Sequence, residues 1–543
     1  MTEHRRNAGW AVLQTIAGYG VDTVFGIPGT HNLELYRHLP ALGIRAVTTR
    51  HEQGAGYAAD AWAQRRSARG TGSSTEVTPG VVITTSGPGL LNALSAGGTA
   101  FAESRPMIVL SPGVAIGDEF ADRGALHETK DQSAAAAAIL LWSRRVRSAE
   151  EAVEAVHDAF ALFRSGRPRP VHIEVPLDVL EAETDIDDAL LTPREPAVAA
   201  PLDDTALDAA AAALEVATHP VIIAGGGAVR ASALLTALAE RLGAVVLTTL
   251  NGKGAVPESH PLSLGSELRL APAAEVVNAS DALLVVGSKL GEAELWGNEL
   301  APAGAVIRVD IDAAQLDKNL ASTIRLQGDA RAVIKALASR IHREPADPQD
   351  LDAVRASLVD AARVFAPREM AAAEAIAAGI PKHAVVTGDS SQITYYGMTS
   401  AVRQNAPASM PYMPAYATLG YGLPAAIGSK IATPESPVLV VTGDGALMFS
   451  VQELATAVEQ RLDIAVVVVD NGGYGEIEQN EADRGIDPIG VRLHQPDWPA
   501  LARAFGASGT SVADASAVPG AVAAAIAEPG VSLLHIPLSI FGA

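Results

Sequence analysis

Cysteine is absent from the 543-residue sequence, and clusters of basic residues and long apolar runs are missing as well. Without cysteine the chain can form no disulfide, zinc–thiolate site or cysteine nucleophile, which agrees with a reducing compartment. A formal net charge of −22 makes nucleic acid and anionic membrane surfaces poor partners. The most apolar run, 134–142, is far shorter than the ~20 residues of a membrane span, and the start of the chain does not resemble a signal peptide. We therefore expect a soluble, cytoplasmic protein with no nucleic-acid or membrane partner.

Short apolar runs alternate with helical patterns along the chain, which is typical of an α/β fold built on parallel sheets. The clearest strand candidates are 23–27, 44–49, 81–85, 107–110, 171–175, 221–224, 282–286, 305–310, 438–441 and 464–469. An acidic, proline-bearing stretch at 182–202 and a polar stretch at 342–352 have the composition of linkers. We therefore predict three open parallel-sheet domains, at 1–185, 200–342 and 365–543.

The segment 437–476 has the pattern of a β-α-β unit with polar residues at the ends of both strands. Its two apolar runs end at Gly-Asp-Gly and at Asp-Asn-Gly-Gly, respectively. Between them, Ser450 and Glu453 have the spacing of a capping box at the start of a helix. Because ligands bind at the carboxyl edge of open α/β sheets, we expect the two turns to share one site.

The two turns supply oxygen ligands of the kind that Mg²⁺ prefers. Asp444, Asn471 and the carbonyl of Gly473 form a hard oxygen set with little charge, which suits Mg²⁺ that also carries phosphate oxygens. Gly443 and Gly445 allow backbone N–H groups to approach those phosphates closely. Either turn alone is most often an ordinary loop, so the prediction depends on their occurring together.

These turns resemble the signature of thiamine diphosphate (ThDP) enzymes, with Asp470 in place of the usual first Asn. Further motifs follow in the order of that family: Glu52 directly after a strand, SGPG at 86–89, GDS at 388–390 and TLGYGLPAAIG at 418–428. Over essentially its full length the chain resembles the group that contains acetolactate synthase, pyruvate decarboxylase and benzoylformate decarboxylase. The resemblance implies a pyrimidine-binding, a central and a diphosphate-binding domain, with ThDP and Mg²⁺ as cofactors.

Within this family, the segments FGIPGTHNLELYR, RHEQGAGYAAD, GALHETKDQ and GYGEI look closest to the 5-guanidino-2-oxopentanoate decarboxylases. The resemblance thus implies non-oxidative decarboxylation of a 2-oxo acid to an aldehyde. Neighbouring subfamilies share such segments with other substrates. Carboligation, in which a second carbonyl takes the place of a proton donor, stays open, and a non-catalytic ThDP-binding protein is a more distant alternative.

The family also implies roles for individual residues around the cofactor. Glu52 is implied to hydrogen-bond N1′ of the aminopyrimidine. Leu419 is implied to support the bent cofactor, and the Ala417 carbonyl to accept from its 4′-amino group. Either of these two could instead be plain core. Implied cofactor contacts also include Asp389, Ser390, Ser391, Gly443, Asp444, Gly445, Ala446, Asn471, Gly473 and Tyr474, of which Asp444, Asn471 and Gly473 would hold the metal.

Four further residues are candidates for handling the substrate. His127 resembles the position that faces the thiazolium in acetolactate synthases, usually Gln there, and His31 is a second possible proton donor; many histidines, however, are structural. Glu476, after the metal loop, could pair with a cationic tail such as guanidinium or be a solvated helix charge. Gln132 is a weaker candidate.

Two departures from the family pattern limit these expectations. Thr85 stands where benzoylformate decarboxylase has its active-site His, so proton transfer must use other groups. The central Gly-Gly-Gly turn at 225–227 is not a full dinucleotide fingerprint, which makes nucleotide binding there doubtful. Since the active site of the family lies between two chains, we expect a homodimer or homotetramer.

Overall fold

The computed structural model describes residues 6–68, 77–344 and 350–542. Its strands are β1 (Thr23–Gly26), β2 (Arg45–Thr48), β3 (Gly80–Ile83), β4 (Met107–Gly113), β5 (Trp142–Arg145), β6 (Val171–Pro176), β7 (Pro220–Ala224), β8 (Val245–Thr248), β9 (Ser263–Gly265), β10 (Ala282–Val286), β11 (Ala305–Asp310), β12 (Ile324–Gln327), β13 (Val385–Gly388), β14 (Val438–Gly443), β15 (Ile464–Asp470), β16 (Ser508–Ser511) and β17 (Val531–Pro537). All ten strand candidates from the sequence coincide with or overlap an observed strand.

The α-helices flank these strands along the chain. They are α1 (Ala8–Gly18), α2 (Leu33–Tyr36), α3 (Glu52–Ala68), α4 (Pro88–Glu103), α5 (Gln132–Ala137), α6 (Ala149–Ser165), α7 (Leu177–Glu181), α8 (Asp204–Val216), α9 (Ser232–Leu242), α10 (Ala271–Asn278), α11 (Glu292–Leu295), α12 (Ala330–Arg340), α13 (Asp352–Phe365), α14 (Pro367–Ala378), α15 (Thr399–Ala401), α16 (Gly422–Ala432), α17 (Asp444–Leu447), α18 (Glu453–Glu459), α19 (Gly475–Asp483), α20 (Trp498–Ala504) and α21 (Val518–Ala527). A π-helix spans Ile393–Met398. In the described ranges no helix combines the length and the apolar character that crossing a bilayer requires.

The strands form three sheets, and neighbouring strands within each sheet run parallel. The strand orders are β2-β1-β3-β4-β6-β5, β12-β11-β10-β7-β8-β9 and β13-β14-β15-β17-β16. Strands covered on both faces are continuous apolar runs, as β10 and the first six residues of β15 are here. The predicted α/β fold with three parallel sheets is thereby confirmed.

The chain divides into two compact units. The first comprises the described residues up to Val198 together with 423–434 and 450–462, and the second comprises 199–422, 435–449 and the described residues from Asp463. The first sheet lies in the first unit, and the other two sheets lie in the second. The boundaries 1–185, 200–342 and 365–543 stay a prediction.

The capping box predicted at Ser450 and Glu453 is wrong. Helix α18 begins at Glu453 itself, and it is the backbone N–H of Glu453 that donates to the Ser450 carbonyl, at 2.9 Å. The Ser450 hydroxyl has no hydrogen-bond partner among the described atoms. The Glu453 side chain does not reach back to Ser450; it accepts from Thr456 and from the backbone around His51. The Ser-x-x-Glu pattern does not form a capping box here because the Glu453 carboxylate accepts from the backbone that precedes α3.

At the carboxyl edge of the central sheet, loop segments of the chain hydrogen-bond to one another and to Arg308. The N–H groups of Gly225 and Gly227 donate to the carbonyls of Val286 and Gly287 at 2.8 and 3.1 Å, so these amides pair within the protein. The buried guanidinium of Arg308 donates to backbone carbonyls of the surrounding loops, those of Ser288, Gln315, Lys318 and Leu320. The glycine turn thus joins two backbone segments at close range.

Candidate active site

A cleft of about 250 Å³ lies in the second unit, beside the carboxyl ends of β14 and β15. It gathers twelve of the residues that the sequence analysis proposed for cofactor, metal or substrate: Ser390, Ser391, Ala417, Leu419, Gly443, Asp444, Gly445, Ala446, Asn471, Gly473, Tyr474 and Glu476. Residues far apart in the sequence meet here because parallel strands present their carboxyl ends at one edge.

Three oxygen-bearing groups converge in this cleft. One terminal atom of the Asn471 amide lies 2.9 Å from the Gly473 carbonyl oxygen and 3.0 Å from Oδ1 of Asp444. If that atom is the amide oxygen, three oxygens face one another; if the amide is turned over, its nitrogen donates to both. The predicted ligands Asp444, Asn471 and Gly473 are therefore together.

Within the described residues, one oxygen of the buried Asp444 carboxylate lacks a hydrogen-bond partner. Its side chain is 1% exposed, and its Oδ2 has no hydrogen-bond partner among the described atoms. Burial, and then the negative charge of Asp470, raise the pKa of Asp444 to about 6. A cation beside the carboxylate would offset both effects, because an opposite charge favours the ionised form. The residues present therefore fit a divalent cation that also binds phosphate.

The cleft also depends on its glycines. A Cβ at Gly445 would lie 2.9 Å from the Tyr474 ring, and one at Gly443 would lie 3.0 Å from the Ser391 side chain. Gly473 has a φ of +148°, and a Cβ there would lie 2.0 Å from the Val491 carbonyl oxygen. Glycine is therefore needed at these positions for close packing of the walls, as well as for access to a ligand.

Asp470, which replaces the usual Asn of the family, has a partner that sequence reasoning missed. Its Oδ2 lies 3.1 Å from Nε2 of His535 on the neighbouring strand β17, and its Oδ1 accepts from the Gly472 N–H at 2.9 Å. Burial alone would raise the pKa of Asp470, but the hydrogen bonds from His535 and Gly472 outweigh it and lower the pKa. The acid at position 470 is therefore stabilised in its charged form by His535.

Asp389 is buried and precedes Ser390, a residue of the cleft lining. Its carboxylate accepts from the backbone N–H groups of Ser390, Gly420 and Gly422, each at 2.9 Å, and burial raises its pKa to about 6. Both of its oxygens thus hold the turn that follows Leu419. We interpret Asp389 as a support for that turn, which differs from the contact with the cofactor phosphates that the sequence suggested.

Ala417 has the strained backbone that is common at ligand sites. Its φ of +51° lies in the left-handed region, which costs a residue with a side chain roughly 1–2 kcal/mol. Its N–H donates to the Met413 carbonyl at 3.1 Å. Ala417 and Leu419 both line the cleft. The conformation and placement of Ala417 fit the predicted carbonyl acceptor.

Glu476, in the first turn of α19, is held by neutral donors. Its Oε2 accepts from the hydroxyls of Tyr396 at 2.7 Å and Tyr395 at 3.2 Å and from Nε2 of Gln392 at 3.2 Å. Nδ2 of Asn480 lies 3.3 Å from its Oε1. Both tyrosines lie on the π-helix, and their hydroxyls orient the carboxylate without neutralising its charge. Sequence reasoning found Glu476 but missed the two tyrosines.

Glu52 is the acid predicted to face the pyrimidine, and it lies in the first unit as the first residue of α3. It is nearly buried, and its Oε2 accepts from Nδ2 of Asn92 at 3.0 Å. Its Oε1 faces Gly89 of the SGPG motif, where a Cβ would lie only 3.2 Å away. Asn92 on α4 therefore fixes one oxygen, and the glycine leaves room beside the other. Asn92 carried no sequence signal of this role.

His31 and His127 meet in the same unit. Their ring centroids are 5.1 Å apart, Nδ1 of His31 lies 2.6 Å from the Ser86 hydroxyl, and Nδ1 of His127 lies 3.4 Å from the Thr85 hydroxyl. Burial and the nearby His127 lower the pKa of His31, although Glu181 partly opposes this. His127 also has a left-handed backbone, with a φ of +61°. The two predicted proton donors thus form one cluster in which His31 favours the neutral state.

Gln132, the weakest substrate candidate, has a structural role. Its Oε1 accepts from the Gly87 N–H at 2.9 Å, and its Nε2 donates to the Pro112 carbonyl at 2.8 Å. The side chain is buried, so both ends of the amide are satisfied within the protein. Gln132 therefore holds the SGPG turn.

Family models match the chain in three segments, and each segment contains strands of one of the three sheets. Residues 6–135 match the N-terminal TPP binding domain of thiamine pyrophosphate enzymes, 207–337 match their central domain, and 389–536 match their C-terminal TPP binding domain. Thiamine pyrophosphate is another name for ThDP. Together these matches cover most of the chain.

Individual relatives extend over nearly the full length. The chain is 40% identical to a protein named probable 2-ketoarginine decarboxylase AruI from Pseudomonas aeruginosa, over 97% of this chain and 93% of the relative. It is 31% identical to the acetolactate synthase isozyme 1 large subunit of Escherichia coli, over 85% of this chain and 81% of the relative. A probable acetolactate synthase large subunit from Methanocaldococcus jannaschii is 32% identical, over 91% and 86%.

The histidine cluster yields a test that needs no cofactor. In His127→Gln, removal of the second imidazole should raise the pKa of His31, because the charge of His127 is one cause that lowers it. The pKa should stay below the usual range, since burial remains. NMR titration of the histidine ring signals measures this. Lys130→Gln removes an exposed charge from the same loop and should leave His31 unchanged. A His31 pKa that does not move in His127→Gln contradicts the coupling.

Proposed function

The chain belongs to the thiamine pyrophosphate enzyme family, and we propose that it catalyses non-oxidative decarboxylation of a 2-oxo acid to an aldehyde. The observation that carries the proposal is the convergence of Asp444, Asn471 and Gly473 in a cleft of the second unit, beside a buried Oδ2 that lacks a partner. The full-length relative named a decarboxylase supports the reaction type. The cofactor is ThDP, which accepts the electron pair released when the bond to the departing carboxylate breaks.

Different residues of the cleft would hold different parts of this cofactor. We propose that Asp444, Asn471 and the Gly473 carbonyl bind Mg²⁺, and that Mg²⁺ anchors the diphosphate. The remaining diphosphate and ring contacts would come from Ser390, Ser391, Gly443, Gly445, Ala446, Tyr474, Ala417 and Leu419, which line the same cleft. Asp389 would support this wall through the turn at 420–422.

Glu52 would share a proton with N1′ of the cofactor pyrimidine. Asn92 occupies its Oε2, which leaves Oε1 for this contact. His127 would deliver the proton that turns the decarboxylated fragment into an aldehyde, with His31 and Ser86 orienting it. The presence of two histidines favours the aldehyde product, because a proton donor competes with a second carbonyl for the same position.

Replacing Glu52 separates cofactor binding from turnover. In Glu52→Gln, ThDP should still bind with Mg²⁺, while kcat should fall at least ~100-fold, the lower range for loss of a positioned acid–base group. Calorimetric titration with ThDP and a steady-state assay measure the two properties. Glu150→Gln, at the exposed start of α6, is the matched control. Unchanged turnover in Glu52→Gln would refute the proposed role.

We propose that the substrate carries a cationic tail and is 5-guanidino-2-oxopentanoate, also called 2-ketoarginine. The carboxylate of Glu476 is oriented by four neutral donors, so its charge is available to a guanidinium group. Tyr395, an aromatic residue, lines the same cleft. The alternative, a solvated helix charge, explains less well why two tyrosines converge on this one oxygen.

Glu476→Gln should discriminate between substrates. For the guanidino acid, kcat/KM should fall about 10- to 100-fold, because a charge-assisted hydrogen bond contributes roughly 1.5–3 kcal/mol. For 2-oxohexanoate, whose alkyl tail carries no charge, kcat/KM should change little. NMR assays of both acids with ThDP and Mg²⁺ follow carbon dioxide and the carbonyl products, and a hydroxyketone would reveal carboligation instead. Glu478→Gln on the same helix is the control. Equal losses for both substrates would contradict the assignment to the tail.

We also propose that the active species is a homodimer or homotetramer in the cytoplasm. Exposed apolar side chains flank the predicted site residues in both units, among them Leu91 and Leu126 in the first and Met448, Phe449 and Ile477 in the second. Burial of such side chains in a subunit interface would remove them from water. In this proposal 1–185 binds the pyrimidine, 365–543 binds the diphosphate, and 200–342 is the central domain.

Assembly and activity should change together on dilution. Sedimentation velocity combined with activity assays should show activity only in species of two or more chains, because each site would need residues of two chains. Loss of activity at concentrations where the protein dissociates is the expected result. A monomer with full specific activity contradicts this proposal.

A further inference from the structure

Glu453 is a buried acid that the proposed reaction does not use. Its side chain is fully buried in the first unit, on the first residue of α18. Its Oε1 accepts from the backbone N–H groups of Arg50 and His51, both at 3.0 Å. Its Oε2 accepts from the Thr456 hydroxyl at 2.6 Å. All of these donors are neutral, so the carboxylate is held by hydrogen bonds and not by an ion pair.

The two backbone donors lie directly before Glu52. Helix α3 begins at Glu52, and the N–H groups at the start of a helix have no acceptor within it. His51 supplies one local acceptor, since its Nδ1 accepts from the Gln53 N–H at 3.1 Å. The N–H groups of Arg50 and His51 are instead satisfied by a carboxylate 402 positions away from His51. A negative charge at this end of α3 is also favoured by the helix dipole.

The close approach of Glu453 requires the glycine at 54. A Cβ on Gly54, in the first turn of α3, would lie 2.7 Å from Oε1 of Glu453 and 2.9 Å from its Cδ. The carboxylate therefore packs against the first turn of the helix that carries Glu52. Since a buried carboxylate is costly unless its lone pairs are satisfied, this arrangement constrains the backbone of 50–51 tightly.

We propose that Glu453 is a positioning residue that aims Glu52 at the cofactor by fixing the backbone on which Glu52 stands. This inference rests on the proposed role of Glu52. Glu453 itself would contact neither the substrate nor the cofactor. Its effect on catalysis passes through the first turn of α3.

Three variants and one control test this. Glu453→Ala removes both acceptors. Glu453→Gln keeps an oxygen for the two backbone N–H groups and an amide that can donate to Thr456. Gly54→Ala keeps the carboxylate but displaces it. Glu459→Ala, on the same helix, removes an exposed ion pair with the Arg50 side chain and leaves the backbone contacts intact.

The first readout is amide hydrogen exchange of the peptide that spans 48–57 in the cofactor-free protein. Glu453→Ala and Gly54→Ala should speed exchange there about tenfold, the size expected for loss of a helix cap. Glu453→Gln and Glu459→Ala should exchange like the parent protein. This readout does not depend on any role of Glu52 and therefore separates failure of the contact from failure of the proposed function.

The second readout is exchange of the cofactor C2 proton for deuterium in the loaded enzyme, followed by NMR, together with kcat and KM. Glu453→Ala and Gly54→Ala should slow C2 exchange and lower kcat about 10-fold or more, with KM changed less than 3-fold, and Glu453→Gln should restore both. Normal C2 exchange in Glu453→Ala would overturn the inference, as would a Glu453→Gln variant as impaired as Glu453→Ala. If Glu453→Ala does not fold, the test is the comparison of Gly54→Ala, in which C2 exchange should be slow, with Glu453→Gln, in which it should be normal. Normal C2 exchange in Gly54→Ala would then overturn the inference.

Discussion

The buried carboxylate of Asp444 is the constraint on which the C-terminal part of the molecule depends. It follows directly on β14, it is almost inaccessible to water, and one of its oxygens has no partner within the described chain. Burial and the charge of Asp470 make the anion of Asp444 less favourable than that of an exposed carboxylate, as its raised pKa shows, and a nearby cation would offset this. The Asn471 amide lies 3.0 Å from Oδ1 of Asp444 and 2.9 Å from the Gly473 carbonyl oxygen, so the fold brings together the three groups proposed to hold a divalent ion.

Four of the buried acids in the described residues have different roles. Asp389 and Glu453 direct their oxygens to backbone N–H groups of their own chain, and each thereby fixes a turn or a helix start. Asp444 and Glu52 each keep an oxygen free of such contacts. In both units, then, one acid that supports the backbone accompanies one acid with an oxygen left for a ligand. This division of roles follows from hydrogen-bond partners and is invisible in the composition of the chain.

Much of the fold and of the cleft could be predicted from the sequence, because the signals involved are local. Runs such as 282–286 and 464–469 are apolar throughout since both faces of those strands are covered, and the proposed ligands follow closely on the ends of β14 and β15. The half-buried β5 was missed because its residues, Trp-Ser-Arg-Arg, form no apolar run. The capping box at Ser450 and Glu453 is not formed because the Glu453 carboxylate accepts from the backbone just before α3, a segment that is distant in the sequence. His535 and Asn92 were missed for the same reason: their partners are neighbours only in the folded chain.

A structure of the protein bound to ThDP and Mg²⁺ tests the central claim most directly. The account predicts Mg²⁺ coordinated by Asp444, Asn471 and the Gly473 carbonyl, the diphosphate in the same cleft, and N1′ of the pyrimidine within hydrogen-bonding distance of the Glu52 carboxyl group. A cleft without the cofactor at saturating ThDP and Mg²⁺, or a Glu52 side chain that faces bulk water in the complex, would contradict it.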